Sequence, residues 1–190
     1  DSLLKIYESS KIDTVKILAL KDIALQLYLN SPSEAEKYCL QCLELSEEID
    51  FYQGLIRCNN ILGIIKTFEP DYVSAIEKFN ISMEKAEEIN DEMSIFRASN
   101  NLGSVYVNIS DYSKAVGCYT KSLAIAEKLN DTLSIAKSYM NIAVIHKDNS
   151  DLEKAMEYNN KALELAIAID DQMLQGQIYG NISNVKGHGQ

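Results

Sequence analysis

An all-α solenoid of about four and a half helical hairpins is the fold this sequence predicts, and three observations predict it. The first is a repeat of 40 residues: blocks 11–50, 51–90, 91–130 and 131–170 align over most of their length, and 171–190 begins a fifth. The second is the apolar spacing inside each block, which runs in threes and fours rather than twos, as a helical stripe requires. The third is a scarcity of breakers, with two Pro and eight Gly in 190 residues, which favours long helices.

The elements follow in order. Residues 1–10, DSLLKIYESS, form an amphipathic lead-in through Leu3, Leu4 and Tyr7 that caps the array. In the first block Ala24 stands eleven positions before Ala35, whereas Gly63, Gly103 and Ala143 stand twelve before Ala75, Ala115 and Ala155. That offset predicts a first turn one residue short. The second block places helix A near 51–68 and helix B near 71–89. In the third, Ile95, Ala98, Leu102, Val105 and Tyr106 share one stripe, and Ala115, Tyr119, Ser122, Leu123 and Ala126 share the next. Between them Ser110 and Asp111 are N-cap residues for the second helix. The matching turns are Asn30-Ser31-Pro32, Glu69-Pro70-Asp71 and Asn149-Ser150-Asp151, so both prolines fall where a missing N–H costs little.

Small residues at the Gly63 and Ala75 columns let helix A and helix B approach closely, and large ones there would clash. One hairpin cannot bury its apolar face alone, so the hairpins stack. Residues 171–190 supply a fifth helix A without a helix B. They read as a truncated repeat whose Leu174, Ile178 and Ile182 lack their usual partner, and a homodimer through this C-terminal end is the alternative use of that surface.

Composition narrows the function. The chain has 28 Asp+Glu against 18 Lys+Arg, a net charge of −10, which disfavours nucleic acid and anionic membrane as partners. No apolar run approaches the length of a membrane span. Cys39 and Cys42 read as CxxC, but with no second CxxC or nearby His they are small core residues more readily than a zinc or redox pair. His146 and His188 have no second ligand at metal spacing and read as surface residues. Phosphate-loop, dinucleotide, zinc-protease and nucleophile-elbow motifs are absent, so neither catalysis nor a cofactor nor a metal is expected.

Leu102-Gly103, Tyr106, Ala115, Tyr119 and Ser122 reproduce the spacing of the tetratricopeptide repeat, as do Leu62-Gly63, Ala75, Phe79 and Ser82. The chain therefore resembles that family, in its long 40-residue form. The resemblance implies a right-handed superhelix with the A helices on its concave face. The opening residues followed by long repeats are also similar to the sensor region of bacterial histidine kinases and regulators. That second resemblance implies a signalling role, in the periplasm or the cytoplasm.

With that assignment the charges separate. The A-helix windows 53–68, 93–108 and 133–148 hold five basic residues (Arg57, Lys66, Arg97, Lys137, Lys147) and one acid. The B-helix windows hold seven basic residues and twelve acids. The only two arginines, Arg57 and Arg97, are 40 residues apart in one column with Lys137. Beside them run Asn60, Asn100, Asn101, Asn141, Ser104 and Asn108. Guanidinium forks suit carboxylates, and Asn offers the donor and acceptor that a peptide backbone requires. The expected partner is a protein or peptide, acidic in character. The alternatives are that Asn101 and Asn141 bond neighbouring helices, and that the arginines pair with a Glu of an adjacent hairpin. Phe79, Tyr106 and Tyr119 belong to the core.

Overall fold

A computed structural model describes residues 2–10 and 13–187. The helices are α1 (Ser2–Ser9), α2 (Asp13–Leu27), α3 (Pro32–Glu48), α4 (Tyr52–Phe68), α5 (Tyr72–Glu88), α6 (Glu92–Asn108), α7 (Tyr112–Lys128), α8 (Thr132–Asp148), α9 (Leu152–Ala168) and α10 (Gln172–Gly187). No strand occurs among the described residues. His188 lies outside them.

One turn chemistry recurs along the chain. Asp50, Asn90, Ser110, Asn130, Ser150 and Asp170 close the preceding helices in the left-handed region, with φ between 52° and 61°. The Asn90 N–H reaches the Glu87 carbonyl (3.1 Å), and the Asp91 N–H reaches the Ala86 carbonyl (2.9 Å), which is a Schellman closure. The residue that completes the closure also starts the next helix. The carboxylates of Asp71, Asp91, Asp111, Asp131, Asp151 and Asp171 accept the N–H three positions on, at 2.9–3.2 Å. Ser110 is therefore not a cap for α7, as its side-chain chemistry suggests. It stops α6 by its backbone conformation, and Asp111 alone caps α7.

These caps make the fold acid-sensitive. The carboxyls of Asp71, Asp111 and Asp151 are held below the usual carboxylate range, chiefly by hydrogen bonds from Ser74, Lys114 and Lys154. Asp131 is lowered chiefly by the Ser134 hydroxyl. Burial raises Asp91, but the Ser74-equivalent bonds from Ser94, with Gln53 and Arg97, outweigh it. A carboxyl with a depressed folded pKa contributes stability above its ordinary range and loses it as pH falls through the folded value. Melting temperature should therefore be flat near neutrality and fall below about pH 4. Asp91→Ala should lower stability by about 1 kcal/mol at pH 7 and flatten the acid limb, measured by circular dichroism melts across pH.

The first block departs from the expected short turn. Here α2 ends at Leu27 and α3 begins at Pro32, which leaves four connecting residues against three between α4 and α5. The missing residue comes out of the helix, not the turn. Ser31 occupies the cap position without a side-chain hydrogen bond, and Pro32 opens α3.

The fold comprises two compact units, one ending at Val105 and the other beginning at Tyr106. In the first, Ile17, Leu20 and Ala24 of α2, Ala35, Cys39 and Cys42 of α3, and Cys58, Ile61, Leu62 and Ile65 of α4 form one core, with Tyr7 of α1 packed against it. Cys39, Cys42 and Cys58 are buried free thiols within that core. Hydrogen bonding to Cys39 and Cys42 together with burial pushes the Cys58 thiol up. No group of three metal-ligating side chains occurs among the described residues. Between α4 and α5, Gly63 lies under the Phe79 ring, and a Cβ there would stand 2.6–2.8 Å from three ring atoms. Gly54 is a second close approach, where a Cβ would meet the Ser46 hydroxyl and the Ile17 side chain.

In the second unit Ala115 and Tyr119 of α7 pack with Ile142 and Ile145 of α8. Leu174 and Ile178 are not left unpartnered. They are buried with Ala162 and Ala166 of α9 and Ala136 of α8, and Ile182 packs at the edge. The exposed face of α10 is a different one, carrying Met173 and Tyr179. Asn159 occupies the position of Phe79 and Tyr119, buried to 1% exposure. Its NH2 donates to the Ala155 carbonyl (2.9 Å), while its Oδ1 has no hydrogen-bond partner among the described residues. Asn159→Leu removes that buried acceptor and should raise stability by about 1–2 kcal/mol, read from urea midpoints.

Candidate functional site

The site is built on the first unit's A helices. The turns at Asp50 and Asn90 set α4 and α6 in equivalent positions of successive hairpins, so residues 40 apart fall in one column. Arg57 on α4 and Arg97 on α6 occupy that column, both half-buried. Neither makes an ion pair among the described residues. Burial pushes the Arg97 guanidinium below its ordinary range, the Arg57 charge pushes it further, and Asp91 only partly restores it. Asp91 cannot serve as a full counter-ion. Its carboxylate already accepts the Ser94 N–H (3.1 Å), the Ser94 hydroxyl (2.7 Å) and the Gln53 amide (3.5 Å). Two like charges thus sit close enough to repel, with no carboxylate dedicated to them. Such a pair favours an incoming anion.

The amides beside them divide into roles. Asn101 donates to the Asn60 Oδ1 at 3.2 Å, bonding α6 to α4. That bond fixes the Asn60 side chain and leaves its own NH2 as a donor pair. Ser104 donates to the Asn100 carbonyl at 3.3 Å, one turn back on α6. Asn59, adjacent in sequence, is buried and bonds the Leu55 carbonyl (2.8 Å), so it takes no part. Asn108, Lys137 and Asn141 belong to the second unit, where Asn108 and Lys137 are exposed and Asn141 is half-buried.

Two of the five basic residues do other work. Lys66 bridges Glu36 of α3 and Glu69, at 2.9 Å each, and these carboxylates raise its pKa. Lys147 pairs with Asp148 at 3.0 Å. Arg57 and Arg97 remain in the first unit, and Lys137 in the second.

A cleft between α2 and α4 was not foreseen. It is lined by Lys21, Asp22, Leu25, Tyr28, Arg57, Asn60, Ile61 and Ile64, and it shares Arg57 and Asn60 with the column. The α2 residues escaped because their block is one position out of register with the others. The available signal was that α2 carries apolar residues outside its core stripe, Leu18 and Leu25, both exposed.

In the second unit His146 is not a simple surface residue. Its ring stacks on Tyr158 (centroids 5.4 Å apart, 11° between planes), and its Nδ1 lies 3.4 Å from an Asp151 oxygen. Lys161 lies over both Tyr158 and Tyr139, at 5.1 and 5.9 Å. These contacts tie α8 to α9. Phe79 and Tyr119 are core residues, and Tyr106 packs at the core edge under Lys114.

No curated protein matches this chain. Solved structures share its fold. Aspartyl phosphate phosphatase F from Bacillus subtilis matches with 21% identity over 92% of this chain and 46% of its own, at a TM-score of 0.86. A Rap protein complexed with competence and sporulation factor matches with 20% identity over 90% and 48%, at 0.83. A signal transduction ATPase with numerous domains and a tetratricopeptide repeat sensor, from Pyrococcus horikoshii, matches with 19% identity over 93% and 28%, at 0.83. This chain spans less than half the length of each of these proteins. The family model described as tetratricopeptide repeat matches residues 94–168. The match covers that part of the chain, the same turn recurs on both sides of it at Asn90-Asp91 and Asp170-Asp171, and the described residues share the helical-hairpin fold of tetratricopeptide-repeat structures.

Proposed function

We propose that this chain is a non-catalytic protein- or peptide-binding module, the sensory or docking part of a larger bacterial signalling protein, and that it holds an acidic peptide on its A-helix face. The observation that carries the reading is the pair of guanidiniums at Arg57 and Arg97, half-buried, mutually repelling and without an ion pair among the described residues. Asn60 supplies donors to a bound backbone beside them, with Asn100, Asn101 and Ser104 on the same helices. Lys137, Asn141 and Asn108 are the corresponding polar set of the second unit. The reading is supported by two fold relatives, one a complex with competence and sporulation factor and the other bearing a repeat sensor.

Fluorescence polarisation with labelled hexapeptides tests it. Peptides carrying Asp or Glu should bind, their Asn and Gln counterparts should bind at least tenfold more weakly, and affinity should fall as salt rises from about 50 to 300 mM. Equal affinity for the neutral peptides contradicts the proposal.

A second reading is self-association through α10. Met173 and Tyr179 are 75% and 54% exposed, and nothing lies within 4 Å of where a Cβ would stand at Gly176 or Gly180. Light scattering that shows a monomer at every concentration excludes it for this chain.

A further inference from the structure

We infer that the cleft between α2 and α4 is a specificity pocket that takes a branched aliphatic side chain of the bound peptide, next to its acidic group. The inference rests on the acidic-peptide reading and adds a second requirement to it. Three features carry it. The walls are apolar where a side chain would enter: Leu25 of α2 and Tyr28 just after it line the cleft with Ile61 and Ile64 of α4. Leu25 is 48% exposed although it lines a cleft, so apolar surface stands uncovered there, and covering it is favourable. The rim is polar and specific. Arg57 and Asn60 belong both to this cleft and to the charged column, so a carboxylate held by the arginines places its neighbouring residue over the opening.

The charges on the rim fit the same occupant. Lys21 is already paired with Asp22, at 3.1 Å, so the rim positive charge without a partner is Arg57. A basic side chain is repelled by Arg57, and a second acid finds only apolar walls below the rim. Size narrows the choice further. The cavity is about 70 Å³, roughly half the 150 Å³ of an engineered cavity that admits benzene. A cleft of this size suits Val, Leu and Ile side chains better than the larger Phe and Trp.

The test uses one fluorescein-labelled acidic hexapeptide scaffold in which the residue beside the Asp is Leu, Val, Phe or Ser. Each is titrated against the wild type, Leu25→Gln, and Arg57→Ala with Arg97→Ala. The wild type should prefer Leu and Val over Ser at least tenfold, with Phe no better than Ser. Leu25→Gln should erase that preference while leaving the affinity of the Ser peptide within twofold. Leu25 is exposed enough that this change leaves the fold intact, and Ile64→Ala, which enlarges the cavity, should raise the Phe peptide relative to Leu. Wild-type indifference to the flanking residue, with binding still lost in the arginine variant, overturns the pocket and leaves the acidic-peptide reading standing. A Leu preference that survives in both Leu25→Gln and Ile64→Ala also overturns it. No binding of any acidic peptide overturns both.

Discussion

Arg57→Ala combined with Arg97→Ala should weaken acidic-peptide binding about 100-fold or more while leaving the helical signal intact. Hydrogen bonds to charged partners contribute about 1.5–3 kcal/mol each, so two lost guanidinium contacts remove two to four decades of affinity. The fold should not suffer. Neither arginine anchors an ion pair among the described residues, and Arg97 is destabilised in place by burial and by the charge of Arg57. Melting temperature should therefore hold or rise in the double variant. The single variants are informative as well. Arg57→Ala relieves the repulsion on Arg97, so the singles together should cost less than the double. Arg97→Lys should recover little, because an ammonium cannot grip a carboxylate with two parallel bonds. Isothermal titration and thermal melts on the same samples check all of these.

Phe79→Ala should cost about 3–5 kcal/mol, the usual range for emptying a buried aromatic site. The ring is 1% exposed and rests on Gly63, so its removal leaves a void between α4 and α5 that no neighbouring side chain fills directly. Gly63→Ala tests the same contact from the other side. Alanine gains about 1 kcal/mol of helix propensity over glycine. Its methyl, however, would lie 2.6–2.8 Å from the ring carbons, and forced overpacking costs about 1–3 kcal/mol. The net effect should be destabilising in the wild type and stabilising in the Phe79→Leu background, where the ring is gone. That reversal of sign in a double-mutant cycle, measured by urea denaturation, identifies a direct contact rather than two separate defects.

The close approach at Gly63 was legible because the repeat supplies its own comparison. A small residue recurring twelve positions before Ala75, Ala115 and Ala155 has one economical explanation, and the structure places an aromatic ring over it. Helix boundaries were legible to within a residue or two for the same reason. What escaped depended on contacts between elements that the columns do not register. Lys66 sits in the basic set by sequence, yet its charge is spent on Glu36, 30 residues away on α3. Ser110 has cap chemistry, but the turn uses its backbone and gives the capping role to the next residue. Leu174 and Ile178 looked orphaned only because helix A was assumed to pack on its own helix B, whereas the preceding α9 already covers them.

The candidate site was legible in part. The column of Arg57 and Arg97 follows from the period alone, and the structure adds that both are half-buried, that the Arg57 charge acts on Arg97, and that neither makes an ion pair among the described residues. The Asn60–Asn101 bond turns one of the expected ligand contacts into a strut that orients another. The cleft beside Arg57 needed the fold, since half of its wall comes from the one helix whose register breaks the repeat.

The presence of only two arginines permits one direct measurement. In a nitrogen-15 correlation spectrum of this chain the arginine Nε–H region holds two signals, and Arg57→Ala assigns them. Titration with an acidic hexapeptide should move both signals, with a common midpoint that matches the polarisation affinity, while the neutral Asn/Gln peptide moves neither. Binding that shifts backbone amides but leaves both arginine signals in place would contradict the account and put the ligand on another surface.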